Sequence, residues 1–346
     1  MTNNKALISQ LQQADIITAD TAQQLAQASS PWWLQLLLAF AAWIASILII
    51  SSFIGPLLAL ADNNAGRMIA AAILLIAAIW LATKPQEFMQ QMSVAIALAG
   101  QGLLVYAVYH LFDRHDELAR YACALSSVLL LFSPLNQLHQ RVSLLIAFGC
   151  LLSLIHSAPA IAIVSSALAA AAVCLWCSRP HWAGLTHARR IKSLLEVSTL
   201  TALGLTLFGQ CLLLIDSSNW LDDKLATARS LYSGLGSIVL ISTVFWLSRL
   251  ATVPSRLALL SITTLLCILL YPASGMLVST ALMLACFYGC NYRWYALCVL
   301  SMLCAISQFY YSLELNLLYK SGLLALSGLL VLAAWLLLQR YQRRLV

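Results

Sequence analysis

Charge is what this sequence has least of. Only 9% of its 346 residues are Asp, Glu, Lys or Arg, against about 25% in an average soluble domain. Such a chain cannot cover a compact fold with polar surface, which excludes an ordinary water-soluble enzyme or binding module. Catalytic signatures are missing too. There is no nucleophile elbow, no phosphate loop and no H-E-x-x-H pair. The expectation is therefore no enzyme, no catalytic residues, no resident metal and no cofactor. Proline is missing from the middle of apolar runs. Pro31, Pro85, Pro134, Pro159, Pro180, Pro254 and Pro272 sit at ends or breaks, and Pro56 lies near the end of the first run. The polar, Gln-rich first thirty residues lack the basic-then-apolar layout of a signal peptide, so no cleavage is expected.

What the chain has instead is apolar length. Hydrophobic residues make up 62% of it, in long stretches from Trp32 to Leu338. About 20 apolar residues in a helix span a hydrocarbon core of roughly 30 Å. Lipid offers the backbone no hydrogen bonds, so these stretches are read as helices. The fold class is all-α, a polytopic transmembrane bundle of about twelve helices. The spans are 32–57, 67–83, 88–112, 118–133, 141–157, 159–178, 194–215, 229–248, 254–271, 274–290, 292–312 and 317–340. The second, fourth and fifth are the shortest. The organisation is a cytoplasmic amphipathic hairpin over 1–30 followed by the bundle over 31–346.

The formal net charge of +7 reads as topology rather than nucleic-acid binding. With the N-terminus inside, the inner segments hold Lys5, Lys84, Arg141, Arg179, Arg189, Arg190, Lys192, Arg249, Arg256, Arg293, Arg340, Arg343 and Arg344. The outer ones hold Arg67, Arg114, Arg120, Lys224, Arg229 and Lys320. Cations favour cytoplasmic loops, and an even helix count returns the C-terminus to the same side. The expected location is the bacterial inner membrane, multi-pass, with both termini cytoplasmic. Trp33, Trp80, Trp176, Trp246 and Trp294 mark the inner boundary. Tyr109, Trp220, Tyr271, Tyr310 and Tyr311 mark the outer one.

At the N-terminus, Leu7 and Leu11 share one helix face. Ile16 and Ile17 make a turn, and Thr18 or Asp20 caps a second short helix. A hairpin this small must dock on something. The segment 179–193, read as a loop, is the largest basic cluster, with Arg179, His181, His187, Arg189, Arg190 and Lys192. It reads first as an anchor against anionic lipid, and otherwise as a site for an anionic ligand. Lys192 and Glu196, four residues apart, are placed to pair. The ten cysteines all lie in or beside apolar spans and read as packing residues. Cys174 and Cys177 have C-x-x-C spacing without a second pair.

A pattern recurs along the chain. Gln101, Gln210 and Gln308 fall on the third, seventh and eleventh spans. An acidic outer end follows each: Asp113 and Asp116, then Asp216, Asp222 and Asp223, then Glu314. Each return span opens on a cation: Arg120, Arg229 and Lys320. The reading is three parallel four-helix repeats, near 32–133, 141–248 and 254–340, with chance recurrence as the alternative. The glutamines are the candidate intramembrane polar residues. Asp113, Arg120, Asp216, Arg229, Glu314 and Lys320 are the candidate outer-face charges. An amide in lipid serves either as glue between helices or as the lining of a cavity. Gly100 and Gly102 beside Gln101 suit close helix approach. Proton-coupled transporters usually carry a buried ionisable pair, and Glu196, His110, Asp113, His115 and His156 all sit near span ends. His110, Asp113, His115 and Asp116 are N/O ligand types, for which a solvated helix end is the favoured reading over a metal.

Several segments carry a resemblance. Ala6 to Ile17, Ser30-Pro-Trp-Trp-Leu-Gln-Leu-Leu-Leu38, Tyr109-His-Leu-Phe-Asp113 and Phe309 to Gly322 are similar to segments of bacterial inner-membrane families described only as domains of unknown function. Members are often encoded beside a membrane-anchored protein with a Gly-Asp-Tyr motif. The resemblance thus implies a membrane-anchored protein partner and no activity. Together these features lead to a small-solute permease or exporter as the first expectation. A non-transporting scaffold, or a subunit of an envelope complex, is the alternative. The lipid bilayer is a partner in both, and nucleic acid in neither.

Overall fold

A backbone that must satisfy its own hydrogen bonds in lipid has few options, and among the described residues the regular structure is helical. The computed structural model describes residues 64–84, 86–112, 115–132, 137–214, 225–311 and 317–342, with isolated positions between 12 and 48. Apart from those isolated positions, the N-terminal hairpin and the first span, 32–57, lie outside the described residues. The helices are α1 (Asn64–Ala82), α2 (Glu87–Leu111), α3 (Asp116–Phe132), α4 (Gln137–Ser153), α5 (Ala158–Cys177), α6 (Arg179–Trp182), α7 (Ala188–Leu214), α8 (Leu225–Leu247), α9 (Val253–Leu269), α10 (Ser274–Tyr288), α11 (Tyr292–Tyr311) and α12 (Leu317–Gln342). The chain divides into two compact units, Met1–Ala119 with Ser133–Asn136, and Arg120–Phe132 with Gln137–Val346.

Among the described residues, seven helices are long and apolar enough to cross a membrane: α1, α2, α5, α7, α8, α11 and α12. The helices α3, α4 and α9, at 17 residues each, and α10, at 15, are shorter. The outward surface is apolar. Ile69, Ile73, Ile76 and Trp80 form an exposed stripe on α1, and Leu329, Leu332 and Leu336 another on α12. Water would not tolerate such area on a stable monomer, whereas lipid does. The chain is a membrane protein by this measure.

Prolines start helices here. Pro159, Pro180 and Pro254 stand in the first two positions of α5, α6 and α9, where a missing N–H costs nothing. The fifth span was expected over 141–157, but α4 runs from Gln137 to Ser153. The residues that follow turn back, Leu154 N–H donating to Leu151 O and Ile155 N–H to Leu152 O. Ser157 then caps α5 by accepting from Ala160 N–H. The seventh helix starts at Ala188, six residues ahead of the expected 194, so the basic segment 179–193 is largely helical. Hydropathy misses that start because its first turns are charged.

In the first unit, α1 and α2 pack through Ala78, Ile96 and Ala97. A Cβ on Gly100 would stand 3.1 Å from Leu75, so this glycine sets a close approach. For Gly102, among the described residues, a Cβ would meet nothing within 4 Å, so no close approach is seen there. In the second unit the core gathers around α10, which packs against α5, α7, α8 and α11. Ser274, Gly275, Ser279, Ala281 and Ala285 on α10 are buried beside Leu277 and Leu282. With so little lipid contact, α10 has no need to span the bilayer thickness. Small residues allow the close approach that dispersion needs where lipid removes any hydrophobic drive between helices.

The α10 packing gives a direct test. Leu277 is fully buried whereas Leu265 is 50% exposed. Leu277→Ala should leave a cavity and cost about 2 kcal/mol, seen as a lower unfolding midpoint in detergent. Leu265→Ala should leave the midpoint nearly unchanged.

Candidate functional site

The glutamines come first. Gln101 on α2 is buried, at 3% exposure. Gln308 on α11 donates from Nε2 to the carbonyl of Leu207 on α7, at 3.3 Å. The side chain of Gln210 lies outside the described residues. The Gln308 bond follows the same logic as other polar contacts in the second unit. Thr206 gives its hydroxyl hydrogen to Ala202 O at 2.7 Å, so in the 3.2 Å contact with Ser165 the serine is the donor. Ser279 meets Ser301 at 3.1 Å. Trp176 Nε1 donates to Thr199 Oγ1 at 3.1 Å. The Gln308, Ser165, Ser279 and Trp176 contacts each tie one helix to another, and each gives a partner to a group that would be costly alone in an apolar interior.

The outer-face charges divide. Asp113, Asp216 and Glu314 lie outside the described residues. Arg120 on α3 donates to Ser153 O at the end of α4, at 2.7 Å. Arg229 is half-buried in the first turns of α8. Lys320 sits inside rather than on the surface: it is 2% exposed, its ammonium donates to Tyr310 O at 3.1 Å, and it lies 5.9 Å from the Phe309 ring. His110 packs edge-on to Tyr106 and Tyr109. Among the described residues no three His, Cys, Asp or Glu side chains gather as a metal site would require. The boundary aromatics also divide. Trp80 is exposed beneath the Lys84 ammonium, but Trp176, expected at the interface, is buried in the core because its indole N–H has a partner on α7.

What the structure does assemble is a cleft at one end of the second unit. The helices α5 and α6, the start of α7, the start of α4 and the α10–α11 turn meet there around about 340 Å³. From α7 come Ala188, Arg189, Lys192, Leu195 and Glu196, which fall on one helical face. Arg179 enters from α6, Gln137 from α4 and Asn291 from the turn. Trp176 and Trp182 complete the wall. Arg179 Nη1 donates to Gly289 O, and a Cβ on Gly289 would fall 2.6 Å from Trp176, so arginine, turn and indole lock together.

Glu196 is the one carboxylate in the wall, at 7% exposure. It pairs with Arg141 of α4 at 2.5 Å, not with Lys192 as its spacing had suggested. The α4 helix packs on this face of α7 and brings a guanidinium to the acid, while Lys192 stays exposed. The basic run was visible in the sequence. The contribution of Gln137, Trp176 and Asn291 was not, since these are far apart along the chain.

The comparisons name a family and no activity. The chain matches the family described as Domain of unknown function (DUF4401) over residues 31–341. It belongs to that family. No curated protein and no solved structure matches this DUF4401 chain.

Breaking the Arg141–Glu196 pair should destabilise this DUF4401 chain. Arg141→Ala strands a buried carboxylate, and the cost, discounted for the 36% exposure of the Arg141 side chain, is about 1–2 kcal/mol. Adding Glu196→Gln to the same chain should recover most of the lost unfolding midpoint.

Proposed function

We propose that this is a non-transporting membrane protein, a scaffold or subunit of an envelope complex, whose helices form a packed body. The observation that carries the reading is the Gln308 amide. A permease or exporter would use such a group to line a polar path. Here its N–H bonds to Leu207 O on the neighbouring helix, the arrangement of polar glue. Hydroxyl pairs through the same unit support the same reading.

The location in this reading is the bacterial inner membrane with both termini cytoplasmic, supported by the excess of Lys and Arg in one set of loops. The partner is a membrane-anchored protein. The threefold repeat belongs to the same proposal. It is supported by the recurrence of Gln101, Gln210 and Gln308, each followed by outer acids and then by Arg120, Arg229 or Lys320.

Cysteine accessibility tests both parts. In a chain whose ten native cysteines are replaced, Gln308→Cys should resist water-soluble maleimide from either side, and Arg344→Cys should react only from the cytoplasm. Labelling at position 308 would restore the permease reading, and periplasmic labelling at 344 would invert the topology.

A further inference from the structure

The cleft at the end of the second unit has a definite chemical bias. Its wall carries three cations, Arg179, Arg189 and Lys192, and one carboxylate. The carboxylate is already neutralised, since Glu196 pairs with Arg141. Among the described residues, the charged heads of Arg189 and Lys192 meet no acid and donate to no protein acceptor, and both side chains are exposed. Arg179 spends one N–H on Gly289 O, and a guanidinium has five.

Position adds to charge. Arg189 and Lys192 stand in the first turns of α7, a 27-residue helix that begins at Ala188 in the cleft wall. The positive end of its dipole therefore lies at the same place as the cations. Gln137 and Asn291 offer neutral amide donors. The indole N–H groups are used elsewhere, Trp182 donating to Leu175 O at 2.9 Å and Trp176 to Thr199, so the rings contribute apolar wall. A space of about 340 Å³ holds a phosphate together with a small organic group.

We propose that this cleft binds a phosphate ester, with Arg179, Arg189 and Lys192 holding the phosphate and Trp176 and Trp182 bordering its organic part. Guanidinium forks and an ammonium from two helices suit the several oxygens of a phosphate, which every phosphate ester presents, better than the two of a carboxylate. A phospholipid headgroup and a water-soluble phosphate ester share this chemistry. The inference does not rest on the non-transporting reading, because binding is measured at equilibrium without a gradient.

The test uses the full chain purified in dodecyl maltoside, a detergent without phosphate. Unfolding midpoints are recorded against glycerol 3-phosphate, phosphatidylglycerol in mixed micelles, and acetate, all at one ionic strength. The expected result is a raised midpoint with at least one phosphate compound and none with acetate. A response to glycerol 3-phosphate identifies a soluble ester as sufficient, and a response to phosphatidylglycerol alone assigns the site to a headgroup. Arg189→Ala with Lys192→Ala should weaken the apparent affinity about a hundredfold, roughly tenfold for each charged hydrogen-bonding group lost. Arg256→Ala, a cation outside the cleft wall that lies over Phe245, should leave it unchanged. Equal shifts with acetate, no shift with any phosphate, or equal loss in the Arg256 variant would overturn the proposal. Should the double variant fail to fold, Lys192→Gln replaces it, with a tenfold loss expected.

Discussion

The close approach of small residues and hydroxyls around α10 is the contact on which the second unit depends. In water, helices of this composition would be driven together by their apolar faces. In lipid that drive vanishes, because the tails are as apolar as leucine. What remains is dispersion at short range and hydrogen bonds between groups with no water to turn to. Ser274, Gly275, Ser279, Ala281 and Ala285 let neighbouring helices come near. Ser279 then reaches Ser301, and Ser165 reaches Thr206. Large side chains such as Leu277 and Leu282 fill the space between.

The cleft follows from that packing. With α10 central, the turn to α11 is held at the end where α5 closes and α7 opens. Gly289 lies against Trp176, and no larger residue fits there without displacing the indole. Its carbonyl then takes a bond from Arg179. The Arg141–Glu196 pair fastens α4 to the same region. Each of these contacts serves stability first. Their joint effect is a cation-lined space with its one acid silenced.

Polar groups in this chain have two different fates. Those deep among the helices, Gln308, Thr206 and Ser279, meet partners across helix contacts. Those at the cleft, Arg189 and Lys192, are exposed. The difference is one of dielectric: a charge keeps its head where water or headgroups reach it. Lys320 departs from that rule, buried with its ammonium on Tyr310 O, and a backbone carbonyl is among the few neutral groups able to hold such a cation.

The sequence by itself determined the material and the segmentation. Scarce charge and long apolar runs meant helices in a membrane, and eleven expected spans, from 67–83 to 317–340, each meet a described helix. That works because lipid forces every backbone bond inward, making hydropathy nearly equivalent to secondary structure. It fails where helices carry charge, as at the start of α7, and where a cap decides the end, as at Ser157. The basic run 179–193 was legible too, with a spacing that suggested the wrong partner for Glu196. Only the tertiary structure decided that Arg141 takes that acid, that a Gln308 amide N–H goes to Leu207, and that Gln137, Trp176 and Asn291 share one wall. These depend on which helices lie side by side. In a bundle of uniformly apolar rods, that choice is made by shape and a few hydrogen bonds, which leave almost no trace in a linear pattern.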